Sequence, residues 1–186
     1  MDNKIQIDDV LIRRATADDA PEIANVHLNS WREAYRGLLP QGYLDELPLT
    51  FKERMNTWKR ISTQENKALY VAEASSGIVG FAGFRHGQEP SLKEFGELGA
   101  IYLLQKYKGR GVGDGLLRMG MQQLINWNYS KAYCWVLKGN PTIKFYERTG
   151  ASFNGMQKTD EIGGLQVQEL VYEWKNLDSF RNTGNN

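Results

Sequence analysis

Residues Gln105–Leu117, reading QKYKGRGVGDGLL, combine glycine and cationic side chains at a spacing that suits a phosphate. Glycines stand at 109, 111, 113 and 115, after the apolar run Leu98–Leu104 and before Leu116, Leu117, Leu124 and Ile125 at helical spacing. A glycine-rich turn from a strand into a helix exposes consecutive backbone N–H groups at the positive end of the helix dipole, where anions bind. Lys106, Lys108 and Arg110 add positive charge, and only Asp114 opposes them locally. Two other phosphate motifs are absent. No lysine followed by a hydroxyl residue comes after these glycines, and GxGxxG would need glycine at 114 or 116, held by Asp114 and Leu116. On spacing alone, a phosphate cradle and a plain tight turn both stay open.

Little else in the chain carries nucleophilic or metal-binding chemistry. Cys134 alternates with Ala132 and Val136, the pattern of a buried strand residue, and no histidine follows it to activate a thiolate. With two histidines, one cysteine and no HxxxH-type spacing, no metal site is expected. His27 falls on the apolar face of a helical pattern, where a satisfied core histidine is the ordinary reading. His86 stands in a polar context that suits the surface.

The elements that must position these residues are legible in outline. A chain of 186 residues, 41% hydrophobic and 24% charged with net charge +1, suits one domain with its own core, spanning 1–186 with a core of about 11–174. Near-neutral charge gives no nucleic-acid footprint and no membrane-surface face. The N-terminal MDNKIQIDDV has no signal-peptide core, and no apolar stretch approaches the roughly 20 residues that span a bilayer. A single cysteine suits a reducing compartment, so the expected location is cytoplasmic.

Strands are expected at 12–15, 68–73, 78–84, 97–104, 133–137, 153–158 and 166–174. Thr16–Asp19 resembles a capping box before a helix with Ala20, Ile23, Ala24, His27 and Trp31 on one face. Tyr35–Pro40 breaks that helix, and a second capping box, Thr50–Glu53, opens another carrying Phe51, Met55 and Trp58. Asn140-Pro141 reads as a helix start and Gly150 as its end. Residues 176–186 are expected to fray. This order, with hairpins at both ends and one strand–helix–strand crossover between them, predicts an α/β (α+β) fold: a mixed sheet with helices on both faces.

Three segments, in this order and spacing, resemble the GNAT superfamily of N-acetyltransferases. They are ELGAIYLLQKYKGRGVGDGLL (97–117), WVLKGNPTIKFYERTGASF (135–153) and HLNSWREAYRGLLPQGYLDEL (27–47). The family's glycine motif begins with Gln or Arg, where this chain has Lys108, and Lys supplies only a point charge. The resemblance implies a splayed sheet of six to seven strands, with 97–104 and 133–137 diverging to admit acetyl-CoA. It places the pyrophosphate on Lys108, Gly109, Arg110, Gly111, Val112 and Gly113, the pantetheine arm near the backbone of Leu103 and Leu104, and Asn140 beside it. The acceptor pocket would be lined by His27, Trp31 and Tyr35.

The activity implied is acetyl transfer to a primary amine of a small molecule by direct attack in a ternary complex. A non-catalytic acyl-CoA sensor, or an acetyltransferase acting on protein N-termini or lysines, is the alternative. The family's frequent dimerisation makes a homodimer a further open partner. Direct attack needs a neutral amine, a stabilised oxyanion and a proton for the leaving thiolate. Glu97 is the candidate base, directly or through water, since simple alternation puts it on one face with Gly99, Ile101 and Leu103. Tyr146 is the candidate acid, because a phenol stays protonated at neutral pH and can donate.

Overall fold

The computed structural model describes residues 4–181. Eight strands form one sheet in the order β1-β2-β3-β4-β5-β6-β8-β7. They are β1 (Ile5–Ile7), β2 (Val10–Arg14), β3 (Lys67–Ala74), β4 (Gly77–His86), β5 (Gly96–Leu103), β6 (Ala132–Leu137), β7 (Ser152–Ile162) and β8 (Leu165–Trp174). The helices are α1 (Ala20–Ala34), α2 (Gln41–Glu46), α3 (Phe51–Ser62), α4 (Val112–Asn126) and α5 (Ile143–Arg148). β3 and β4 are buried along nearly their whole length, as strands covered on both faces should be.

Each face of the sheet has its own apolar cover. Leu116, Leu117, Met121 and Leu124 of α4 pack on one side with Phe84, Leu98, Leu103 and Val136. Ile23 and Ala24 of α1 and Trp58 of α3 pack on the other with Leu69, Val71 and Phe81. A smaller cluster, Leu28, Leu44, Leu47, Leu137 and Val167, ties α1 and α2 to the ends of β6 and β8. The expected mixed sheet with helices on both faces is present, with one strand more than the six to seven anticipated. The addition is β1, which pairs antiparallel with β2 through a turn where Asp8 has φ +49°. Three residues are too few to show a period.

Two irregularities of β5 shape everything that follows. Its pairing with β6 is the sheet's parallel one, and it lasts for just two residue pairs, Gly96↔Ala132 and Glu97↔Tyr133. β6 meanwhile stays paired with β8 through all its length. Beyond Glu97 the two strands therefore part and leave a gap. On its other side β5 carries a bulge: Phe84 faces Leu98 and Gly83 faces Ala100, so Gly99 is the extra residue.

Local expectations fail in three places. The Thr50 capping box does not close, because the Thr50 hydroxyl donates to the Leu47 carbonyl and accepts from Arg54 Nε. Asn140 caps a turn, its Oδ1 accepting from Thr142 N at 2.8 Å, and α5 begins after Thr142 rather than at Pro141. The tail does not fray from 176: Leu177 and Phe180 are buried in the α4-side core, with Leu177 N bonded to Ser130 O. Residues 182–186 lie outside the described residues.

Candidate active site

The glycine turn builds a donor-rich corner from backbone. Gly109 and Gly111 have φ +75° and +82°, left-handed values that cost other residues about 1–2 kcal/mol. Gly111 precedes α4, and the first bond closing that helix is Gly115 N–H to Gly111 C=O, at 3.0 Å. The amides just before Gly115 therefore have no helical acceptor and sit at the positive end of the dipole. A Cβ on Gly113 would stand 3.4 Å from the Phe145 ring, so glycine lets α4 start close against α5.

This corner is one end of a cavity of about 640 Å³ that fills the gap between β5 and β6. Lys108, Gly109, Gly111 and Gly113 line it. Val112 does not, being buried in the core. Arg110 does not either: its guanidinium is 2.6 Å from Asp9 and 3.5 Å from Asp8 on the β1–β2 turn, and it holds the Asp9 carboxyl below its ordinary pKa. Lys144 lines the same end, and Arg148 of α5 meets Asp114 of α4 across it at 3.0 Å. Leu103 lines the middle of the cavity, but Leu104 does not. The Leu104 amide is spent on Val79 O and its carbonyl on Tyr107 N, both at 2.9 Å.

Three phenols gather at the far end. Tyr35, Tyr102 and Tyr146 all line the cavity and face one another closely enough for each charge to bear on the Tyr146 hydroxyl. Burial, first of all, raises all three above the usual tyrosine value, Tyr102 and Tyr146 well above it. Tyr35 lies within electrostatic reach of Tyr102 and Asn140, and the Tyr146 hydroxyl within reach of the buried Cys134 thiol. Ser30 and Ala34 of α1 close this end. Trp31 stands behind the cavity and donates from Nε1 to the Tyr102 hydroxyl at 2.8 Å. His27 also stays outside, receiving Trp58 Nε1–H at 3.1 Å within an aromatic cluster. Burial and then the nearby Arg54 charge push its pKa down to about 3, so it is a neutral core imidazole.

Glu97 does not reach the cavity, and the bulge explains the correction. The extra residue at Gly99 shifts the alternation, so Leu98 shares its face with Ile101 and Leu103. Glu97 turns the other way. It is 3% exposed, paired with Arg85, and accepts from Tyr133 Oη at 2.8 Å and Gln88 N at 3.2 Å. Its carboxylate pins the vertex where β5 and β6 part.

A splayed α/β sheet with a glycine-built, donor-rich corner in the gap is shared with known proteins. The model of the acetyltransferase (GNAT) family matches residues 28–151, more than half of the chain. This chain belongs to the GNAT acetyltransferase family. It is 34% identical over 173 residues to the uncharacterized N-acetyltransferase YuaI of Bacillus subtilis (strain 168), covering 92% of this chain and 96% of that one. The fold is shared with the PaiA N-acetyltransferase of Thermoplasma acidophilum, solved in complex with coenzyme A. That likeness has TM-score 0.69 and 20% identity, over 88% of this chain and 97% of the other. An N-acetyltransferase from Staphylococcus aureus Mu50 gives TM-score 0.67 at 20% identity, over 91% and 99%.

In this acetyltransferase the cavity brings together eight of the residues singled out from the sequence: Lys108, Gly109, Gly111, Gly113, Leu103, Asn140, Tyr35 and Tyr146. Glu97, Leu104, Arg110, Val112, His27 and Trp31 lie outside it. Several residues that line it were not singled out from the sequence, Tyr102, Ser30 and Lys144 among them. Tyr102 had a usable signal, an aromatic side chain one residue before Leu103 on the opposite face of β5. Ser30 had none, because a serine between helical apolar positions looks like any solvent-facing one.

Proposed function

We propose that this enzyme moves the acetyl group of acetyl-CoA to a primary amine of a small molecule, by direct attack within a ternary complex. The observation that carries the reading is one continuous cavity, running from free amides at the start of α4 to the three phenols. The residues fit the cosubstrate. A row of unbonded N–H groups with Lys108 and Lys144 suits a pyrophosphate, and the gap between β5 and β6 suits a long, narrow arm. Acetyl-CoA would supply the activated carbonyl. The chain's own groups hold, orient and move protons. Tyr146 keeps its proton to above pH 10 because of burial, so its hydroxyl is available to donate to the departing thiolate. Trp31 holds the Tyr102 hydroxyl in place. Glu97 acts as a positioning residue that keeps the strands parted.

Calorimetric titration with acetyl-CoA, CoA, NAD and ATP tests this first. Micromolar binding of acetyl-CoA, about −8 kcal/mol, with NAD and ATP silent is the expected result. A folded protein that binds none of them, or prefers a nucleotide, would remove both cosubstrate and mechanism.

A further inference from the structure

Two cavities share walls at the β5 bulge. Beside the main one lies a cleft of about 90 Å³ under α3, bordered by Trp58, Lys67 and Arg85, and the two share Gly99 and Ala100 as walls. Gly99 has no side chain to separate them, and a Cβ there would come within 3.7 Å of Arg85 Nε. Among the described residues, three buried side-chain polar atoms lack a hydrogen-bond partner: Ser30 Oγ, Arg85 Nε and Gln64 Oε1. Ser30 lines the main cavity and Arg85 the cleft beside it. Ser30 is 2% exposed and faces the main one. Buried polar groups are nearly always paired, so an orphan donor at the wall of each cavity marks where a ligand's polar atoms belong.

The charges say what kind of ligand. Arg85 gives Nη2 to Glu97 and keeps a buried Nε without a partner, while its side chain as a whole is 41% exposed beside the cleft. Lys67 has Arg60 and Arg85 as its charged neighbours, and burial followed by these two cations lowers its pKa. With Glu97 already spent on Arg85, the cleft holds uncompensated positive charge. The acceptor end of the main cavity offers hydroxyls from Ser30, Tyr35 and Tyr102, which do nothing to attract a polycation.

We propose that the acceptor is an amine that also carries an anionic group, a carboxylate in its simplest form. Arg85 and Lys67 hold the anion in the cleft, the backbone of the acceptor crosses Gly99, and Ser30 Oγ meets its amine end. This rests on the acetyltransferase reading above and deepens it.

Thiol release from saturating acetyl-CoA, measured with matched acceptors, tests it: alanine against alaninamide, 4-aminobutyrate against butylamine, and spermidine as the polycation. The acids should be used with about tenfold or greater advantage in kcat/KM, carried by KM, as a charge-assisted bond to an anion implies. Lys67→Gln should bring the acid-to-amine ratio towards one, and Lys67→Glu should invert it. Ser30→Ala should raise acceptor KM about fivefold or more with the calorimetric affinity for acetyl-CoA retained, a split that a loosened fold would not give. Equal use of acids and amides, preference for spermidine, or no turnover of any of these amines by protein that binds acetyl-CoA overturns the proposal. Failure to bind acetyl-CoA is a different result, and it brings down the acetyltransferase reading itself.

Discussion

The two ends of the cavity are built on opposite plans. At the end proposed for the pyrophosphate the polar groups are backbone amides of neighbouring residues, aimed by two left-handed glycines and the start of α4. At the end proposed for the acceptor they are hydroxyls from α1, β5 and α5, with Asn140 beside them, gathered from more than a hundred residues of sequence. Backbone donors barely depend on side-chain identity. A hydroxyl cluster depends on every rotamer and on where a strand bulges. One end therefore tolerates changes of side chain, and the other does not.

The pH profile is the strongest way to break that contrast. Asp114 is the one carboxylate among the described residues of the cavity wall, and it is tied to Arg148. An ammonium cannot attack, and below its pKa the neutral fraction grows tenfold per pH unit. The value of kcat/KM should thus rise about tenfold per unit up to the acceptor's own pKa, near 10 for an alkyl amine. No falling limb should appear in that range, because Tyr146 stays protonated above pH 10. His27, pushed down to about 3, is neutral throughout and adds no limb near its usual pKa. A plateau from pH 6 upward would instead reveal a titrating base at the acceptor end.

The next effect in size is the loss of the donor. Tyr146→Phe should lower kcat about a hundredfold, the lower range for general acid catalysis, with acetyl-CoA affinity within about threefold. Equal losses in kcat and affinity would mean that the phenol holds the cosubstrate and does not serve the chemistry. Gly111→Ala should do the reverse. Its φ of +82° makes any other residue cost about 1–2 kcal/mol, so acetyl-CoA affinity should fall roughly tenfold while kcat at saturation stays close to the parent. Calorimetry and initial rates on the same preparations separate the two.

The same contrast explains how far the sequence could be read. The glycine turn was legible because its donors follow one another along the chain and glycine itself marks the left-handed positions. The strands that pair locally, β3 with β4 and β7 with β8, announced themselves by alternation and turn residues. Glu97 misled for a physical reason. Alternation counts residues, and a bulge inserts one without leaving a mark in composition, so Gly99 looked like part of the strand's period. His27 and Trp31 were put on the right helix face, but a face meets both core and cavity, and only packing against Trp58 and Tyr102 decides which. Arg110 misled because its partners, Asp8 and Asp9, lie a hundred residues away on a hairpin too short to be seen.

Arg110 also gives the finest test of the comparison. Its guanidinium sits within the glycine motif, yet it is bound to Asp9 at 2.6 Å and lines no part of the cavity. Lys108, two residues earlier, does line it. If the phosphate end works through backbone and through charges already facing the cavity, Arg110→Ala should change acetyl-CoA affinity by less than about twofold. Lys108→Ala should weaken it about fivefold at low salt, and less as added salt screens the lysine. A larger loss from Arg110→Ala than from Lys108→Ala would mean that the guanidinium leaves Asp9 for the ligand. The phosphate end would then also depend on a side chain brought from its resting partner, and the difference between the two ends would be one of degree.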